Sequence, residues 1–222
     1  MFSDSAPISL KLPPRTRALV AGFLLTVPAV LIAITMLQPM VDPKWMYLDV
    51  IAAAREAEAC SHASSGAISQ LGILLWACVA AIGLFTALNL WVRGERGGYF
   101  ALALFAGLLN GWLALDDALL LHESILPGLG IHQYVVLGSY VVLGVGYVLS
   151  GVRILLRSDW WLLAIALMAV TGSLGLDLVV HDRSTLAVVL EDGLKFYGLF
   201  VWAGYHVSLL TLIQLRAPQA GS

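Results

Sequence analysis

Charged side chains are scarce in this sequence, making up 12% of its 222 residues, whereas hydrophobic side chains make up 60%. Such a chain carries more apolar surface than one soluble domain of this length could bury. Cysteine is rare as well: Cys60 and Cys78 form no C-x-x-C pair, which argues against dithiol or cysteine-zinc chemistry. No basic stripe is present, so a nucleic-acid partner is not expected. The composition predicts a lipid bilayer as the surroundings.

Six apolar segments are each long enough to cross about 30 Å of hydrocarbon as a helix. Three carry no charge (18–37, 67–92 and 133–152), and three carry ionisable residues near one end (99–121, 160–180 and 193–215). In the third, Gly107 and Gly111 form a small-x-x-x-small pair, which is typical of close helix packing. The sequence therefore predicts an all-α integral membrane bundle of six transmembrane helices, a single domain over 18–215 with an outer loop at 41–66.

Lys and Arg are distributed unevenly around these segments, and they accumulate on the cytoplasmic side of membrane proteins. In a six-span arrangement one side collects most of them: Lys11, Arg15, Arg17, Arg93, Arg96, Arg153, Arg157 and Arg216. We therefore expect both ends of the chain to be cytoplasmic, with tails at 1–17 and 216–222. The acidic residues then fall mainly on the outer side.

Carboxylates and histidines recur in three segments at the outer ends of the third, fifth and sixth spans. They are Asp116, Asp117, His122 and Glu123, then Asp177, His181 and Asp182, then Glu191, Asp192 and Lys195. A charged group inside apolar sequence costs several kcal/mol unless it is paired, hydrated or bound to an ion. These residues are therefore the candidates for function.

The leading hypothesis is a site for a divalent metal, zinc or iron, because helix bundles assemble such sites from carboxylates and imidazoles. The expected ligands are Asp117, His122, Glu123, Asp177, His181 and Glu191. Asp116 or Asp182 would act as general base and Lys195 would stabilise developing negative charge, on a lipid or another substrate from the outer side. In helical projection His122 points away from Asp116, so this site needs the helix to end or distort there.

Two alternatives use the same residues. In the first, Lys195 neutralises buried carboxylates, and the chain is a non-catalytic subunit or assembly factor of a membrane complex. In the second, a polar stripe continues along the last span through Trp202 and His206, with Asn110 of the third span at its inner end, as a cation or proton pathway. The sequence leaves open whether the partners are other membrane proteins or further copies of this chain.

The segments L-D-D-A-L-L-L-H-E and L-E-D-G-L-K-F-Y-G resemble an uncharacterised group of prokaryotic multi-pass proteins that share L-D-D…L-H-E and L-E-D-G-x-K-x-x-G. This resemblance implies a bacterial inner (plasma) membrane location and no established activity. The architecture is also distantly similar to the membrane hydrolase superfamily of alkaline ceramidases, in which Ser, Asp and His hold zinc. This chain lacks the H-x-x-x-H helix of that superfamily and has six predicted spans instead of seven, so no catalytic residue is carried over.

Overall fold

The structure, a computed structural model, describes residues 9–49, 64–179 and 184–216. All regular secondary structure in these ranges is helical, which confirms the predicted all-α class for this part of the chain. Its long helices, labelled α1 to α6 in chain order, are Pro14–Leu37, Ala67–Val92, Gly98–Leu119, Gln133–Leu156, Trp160–Val179 and Thr185–Arg216.

Five of the described helices are long and apolar enough to cross a membrane: α1, α2, α3, α6 and the part of α4 from Tyr134 to Leu156. The apolar part of α5, Trp160–Leu176, is shorter. Length and hydropathy therefore identify five spans within the described ranges, one fewer than the sequence predicts. The expected count of six is not confirmed.

The helix bounds predicted from the sequence agree best with the observed bounds for α2 and least for α6. α2 occupies the predicted range 67–92, whereas α6 begins at Thr185 instead of residue 193. A helix satisfies its backbone hydrogen bonds internally whatever the polarity of its side chains, so a charged pair need not mark its start. Glu191 and Asp192 consequently lie within α6, in its second turn.

α6 is the most buried of the candidate spans, and the other helices are arranged around it. α2 packs against both α3 and α6, while α4 packs against α3 and α5 packs against α6. These contacts give the order α4–α3–α2–α6–α5, with α1 packed against α6. Among the described residues α4 and α5, the two ends of this order, make almost no contact with each other although a short turn joins them.

Ion pairs identify the two ends of the bundle. At one end, called the acidic end, Lys195 of α6 lies 3.4 Å from a carboxylate oxygen of Asp117 on α3. At the other, called the basic end, Arg17 of α1 lies 3.6 Å from Asp159, just before α5. The described helices alternate in direction between these two ends.

The segment after α1 returns into the acidic end through the short helix Lys44–Tyr47. Tyr47 is 2% exposed, and its hydroxyl lies 2.6 Å from the Thr35 hydroxyl of α1. Because the Thr35 hydroxyl already donates to the Ile32 carbonyl, Tyr47 must be the donor. Tyr47 thereby fastens this segment to α1.

Glycine allows α2 and α3 to approach closely. A Cβ added to Gly107 would lie 2.8 Å from Leu84 of α2, and one added to Gly83 would lie 2.8 Å from the backbone of Gly107. A Cβ on Gly111 would meet the Cβ of Ala80 at 3.6 Å, an ordinary contact distance. Of the two glycines predicted to serve helix packing, Gly107 is therefore the one that the contact requires.

Candidate functional site

The acidic end of α3 is distorted at the point where the metal-site hypothesis requires it. α3 ends at Leu119, Leu120 has a left-handed backbone with φ 49°, and residues Leu121–Ile125 form a π-helical turn. The left-handed region is costly for a non-glycine residue, and such strain is often found at functional sites. This break, and not the projection of a straight helix, decides where His122 points.

The break brings His122 back onto Asp116. The His122 backbone N–H donates to one Asp116 oxygen at 2.9 Å, and His122 Nδ1 lies 2.6 Å from the other. Since a carboxylate can only accept, Nδ1 carries the proton of this contact. The projection of a straight helix, in which His122 points away from Asp116, does not apply here because the helix is broken at Leu120.

Asp116 is 4% exposed, and its two oxygens accept from the same residue. A carboxylate held in this way fixes the tautomer and orientation of its histidine, as second-shell carboxylates do in metal sites. The general-base role predicted for Asp116 is not tested. Its contacts are those of a residue that positions His122.

Tyr140 of α4 faces the same carboxylate and was missed by the sequence analysis. Its hydroxyl oxygen is buried and interacts with the Asp116 carboxylate. The available signal was its spacing: Tyr140 and Tyr147 are seven residues apart and therefore share a helix face. Tyr140 of α4 therefore lies beside the Asp116–His122 pair.

Asp117, the next residue, points to a different set of partners. Lys195 Nζ lies 3.4 Å from Asp117 Oδ1, and the indole N–H of Trp76 donates to Oδ2 at 3.2 Å. The side chains of Lys195 and Asp117 are 45% and 26% exposed, so water screens this ion pair. The predicted neutralisation of a carboxylate by Lys195 is thus present at Asp117.

A small polar pocket opens beside this pair, also lined by Asp192, Ser69 and Tyr47. Its cavity of about 30 Å³ has room for about two waters. Burial raises the pKa of Tyr47 above that of an ordinary tyrosine, and the Asp192 carboxylate adds to this effect. The Tyr47 phenol therefore stays neutral at physiological pH.

The described residues do not complete the predicted metal site: no three His, Cys, Asp or Glu side chains among them converge as ligands would. His181 and Asp182 lie outside the described residues, as do the side chains of Glu123 and Asp177. Glu191 is partly buried in the second turn of α6. Most of the expected ligand set is therefore untested by the geometry.

A second group of polar side chains is buried deep in the bundle. The indole N–H of Trp202 donates to the Asn110 amide oxygen at 2.8 Å, and the Tyr147 hydroxyl lies 2.8 Å from His206 Nε2. His206 Nδ1 faces the Trp202 carbonyl at 2.9 Å, so Nδ1 donates and Tyr147 donates to Nε2 of a neutral ring. The contact expected between Asn110 and the polar stripe of α6 is present.

The edge-to-face contact of Trp76 with Trp202, at 6.0 Å between ring centroids, lies between Asp117 and this deep group. Trp76 donates to Asp117 and Trp202 donates to Asn110, and an indole has no acceptor through which to pass a proton. These two contacts therefore join the acidic end to the interior by packing and not by a proton-conducting chain.

These features define a multi-pass helical membrane protein with a histidine–carboxylate pair at one end of the bundle. The chain belongs to the family described as a domain of unknown function (DUF8692), whose model matches residues 18–209. That range includes α2 to α5 in full and ends within α6. No curated protein and no solved structure matches the chain.

Proposed function

We propose that this protein is a metal-dependent membrane enzyme of hydrolase type, with His122 as a ligand and Asp116 as the carboxylate that orients it. The single observation that carries the proposal is the Asp116–His122 contact, in which both carboxylate oxygens are used. A histidine that donates Nδ1–H to a carboxylate is the usual form of a metal-ligating histidine.

The remaining ligands come from the residues that the sequence brings to the same end. Glu123 follows His122 directly, Asp177 lies near the end of α5, and Glu191 lies near the start of α6, which packs against α5. With His181 these would hold zinc or iron and activate a water for attack on a lipid or another outer-side substrate. Asp182 is then the candidate general base.

Asp117 is left out of this ligand set because Trp76 and Lys195 already engage its oxygens. Lys195, half-exposed beside the water-sized pocket, is placed where it could stabilise negative charge developing on a substrate. Its pairing with Asp117 would hold the ammonium group at that pocket.

The orientation of the protein is part of the proposal. Six spans, with α5 crossing as the sixth, put both ends of the chain in the cytoplasm of a bacterial cell and the acidic end at the outer surface of its plasma membrane. Arg17, Arg93, Arg157 and Arg216 at the basic end support this orientation.

The experiment is a measurement of metal content by mass spectrometry, on protein purified in detergent without a metal-affinity tag. Wild type is expected to hold zinc or iron near one equivalent, and both His122→Ala and the double variant Asp177→Ala, His181→Ala should lose it. His132→Ala is the matched control, because His132 is an exposed histidine at the start of α4. The proposal would be contradicted if wild type contained no metal, or if His122→Ala contained as much metal as wild type.

A non-catalytic role in a membrane complex is the second candidate, and the Asp117–Lys195 pair favours it. The pair joins α3 to α6, and its two opposite charges neutralise each other without a ligand. In that case all the variants above would carry equal, low metal, and Lys195→Met would reduce the yield of folded protein. Copurification of fixed partners with wild type would then be the next measurement.

A further inference from the structure

The arginines at the basic end of the bundle fall into two groups. In the first group the guanidinium is used within the protein: Arg17 lies 3.6 Å from Asp159, and Arg216 donates to the Ser9 carbonyl. These contacts lie on the side of the bundle formed by α1, α5 and α6. The second group, called here the arginine corner, lies at the turn between α2 and α3 and at the end of α4. It consists of Arg96, Arg153 and Arg157.

The packing of α3 against α4 brings the arginine corner together. A Cβ added to Gly98, at the start of α3, would lie 3.5 Å from Cδ1 of Ile154 on α4. Arg157 follows Ile154 by three residues, nearly one helical turn, so it lies on the side of α4 that α3 contacts. Arg153 is one turn before Arg157, and Arg96 precedes Gly98 by two residues.

The protein itself does not neutralise the arginine corner. All three of its side chains are exposed, and none forms an ion pair with a carboxylate in the described ranges. Glu95 is the one acidic residue of the turn between α2 and α3. Asp159, two residues after Arg157, pairs with Arg17 instead. The corner therefore carries an excess of positive charge at the surface of the bundle.

Two exposed tryptophans place the corner at the depth of the lipid head groups. Trp91 is 51% exposed and Trp160 is 50% exposed, and tryptophan is enriched at the membrane–water interface. The Arg96 guanidinium lies over the Trp91 ring, 5.9 Å from its centroid. A guanidinium that stacks on an aromatic ring keeps its N–H edge available for hydrogen bonds.

We infer that the arginine corner binds the phosphate of an anionic phospholipid such as phosphatidylglycerol. The planar N–H fork of arginine matches a phosphate with two parallel hydrogen bonds, and the excess positive charge favours an anionic over a zwitterionic head group. Basic residues beside membrane spans attract anionic lipids of the cytoplasmic leaflet, which is the leaflet at this end in the proposed orientation. The inference is independent of the metal proposed at the opposite end.

The test is a lipid titration of the purified full-length protein in detergent, followed by native mass spectrometry. Phosphatidylglycerol and phosphatidylcholine with identical acyl chains are compared, and we expect wild type to bind the first more tightly. Each arginine near a lipid surface contributes about fivefold to the affinity, so the double variant Arg153→Gln, Arg157→Gln should bind phosphatidylglycerol about 25-fold more weakly. Its affinity for phosphatidylcholine should be unchanged.

The double variant Lys11→Gln, Arg15→Gln is the matched control. It removes the same charge at the same end from two exposed side chains, but Lys11 and Arg15 lie before and in the first turn of α1, which packs against α6. This control should bind phosphatidylglycerol as wild type does. Arg96→Gln, at the other side of the corner, should weaken binding about fivefold and provides a second variant.

Equal affinity of wild type for the two lipids would overturn the inference. Equal losses in the two double variants would overturn it as well, because the preference would then reflect the total charge of the basic end and not the arginine corner. If inorganic phosphate displaced phosphatidylglycerol at equal concentration, the occupant would be a soluble anion and the inferred lipid site would be wrong.

Discussion

At the scale of single residues, the buried polar groups are arranged in pairs that join different helices. Tyr147 reaches His206, Trp202 reaches Asn110, and Ser158 lies 2.8 Å from the hydroxyl of Tyr205. Each pair removes an unsatisfied group from the apolar interior, where leaving it unpaired would cost about 1–3 kcal/mol. These contacts specify which helices are neighbours.

The Tyr147–His206 pair gives a direct test of this statement. Tyr147→Phe removes the donor to His206 Nε2, and His206→Phe removes the acceptor, so a double-mutant cycle isolates their coupling. We expect a coupling of about 0.6–1.7 kcal/mol in the free energy of unfolding, the usual range for hydrogen bonds between helices in membranes. Denaturation of the four proteins in mixed detergent and dodecyl sulfate measures it. Strictly additive losses would show that the bond contributes nothing.

Sequence reasoning found some of these residues and missed others. The stripe of Lys195, Trp202 and His206 was predictable, because helical periodicity alone puts them near one face. The partner of His206 was not, since Tyr147 lies on another helix and helix order cannot be read from one sequence. That the metal site needs a distorted helix before His122 was predictable from the projection, but the form of the break at Leu120 was not.

At the scale of elements, the break after α3 is the feature on which the candidate site depends. Leu120 occupies a left-handed backbone, where a side chain costs roughly 1–2 kcal/mol and glycine costs little. Leu120→Gly should therefore leave the melting temperature unchanged or raise it. Leu119→Gly, one residue earlier in the regular helix, should lower it, because glycine costs about 1 kcal/mol there.

Thermal unfolding of both variants in the same detergent makes the comparison. A larger loss in Leu120→Gly than in Leu119→Gly would mean that the helix continues through residue 120 and that His122 is not turned towards Asp116. The prediction thus tests the geometry of the site without an assay of activity.

The contact between α2 and α3 makes a second prediction at this scale. Gly107→Ala would place a Cβ 2.8 Å from Leu84, closer than van der Waals contact allows, whereas Gly111→Ala has 3.6 Å to the Cβ of Ala80. Overpacking of this kind costs about 1–3 kcal/mol. Gly107→Ala should therefore unfold at a clearly lower temperature than Gly111→Ala, and equal melting temperatures would contradict the close approach.

At the scale of the whole molecule, hydropathy predicted the helices well and their arrangement not at all. The range 67–92 agrees with α2 because a long uncharged run in a bilayer can only be a helix. The last predicted span began at residue 193, directly after the charged residues Glu191 and Asp192. The start of α6 was therefore predicted too late. The near absence of contact between α4 and α5 in the described ranges had no signal in the sequence, because apolar residues face lipid and protein alike.

The central claim is that Asp116 orients His122 for a metal at the acidic end, and zinc affinity measures it most directly. Purified protein, stripped of metal, is titrated with zinc against a chromophoric chelator, for wild type, Asp116→Asn, His122→Ala and the control His132→Ala. Removing a second-shell carboxylate typically weakens metal binding by about 10–100-fold, so Asp116→Asn should fall in that range and His122→Ala should lose binding. Wild type that binds no zinc, or Asp116→Asn that binds it as tightly as wild type, would contradict the account.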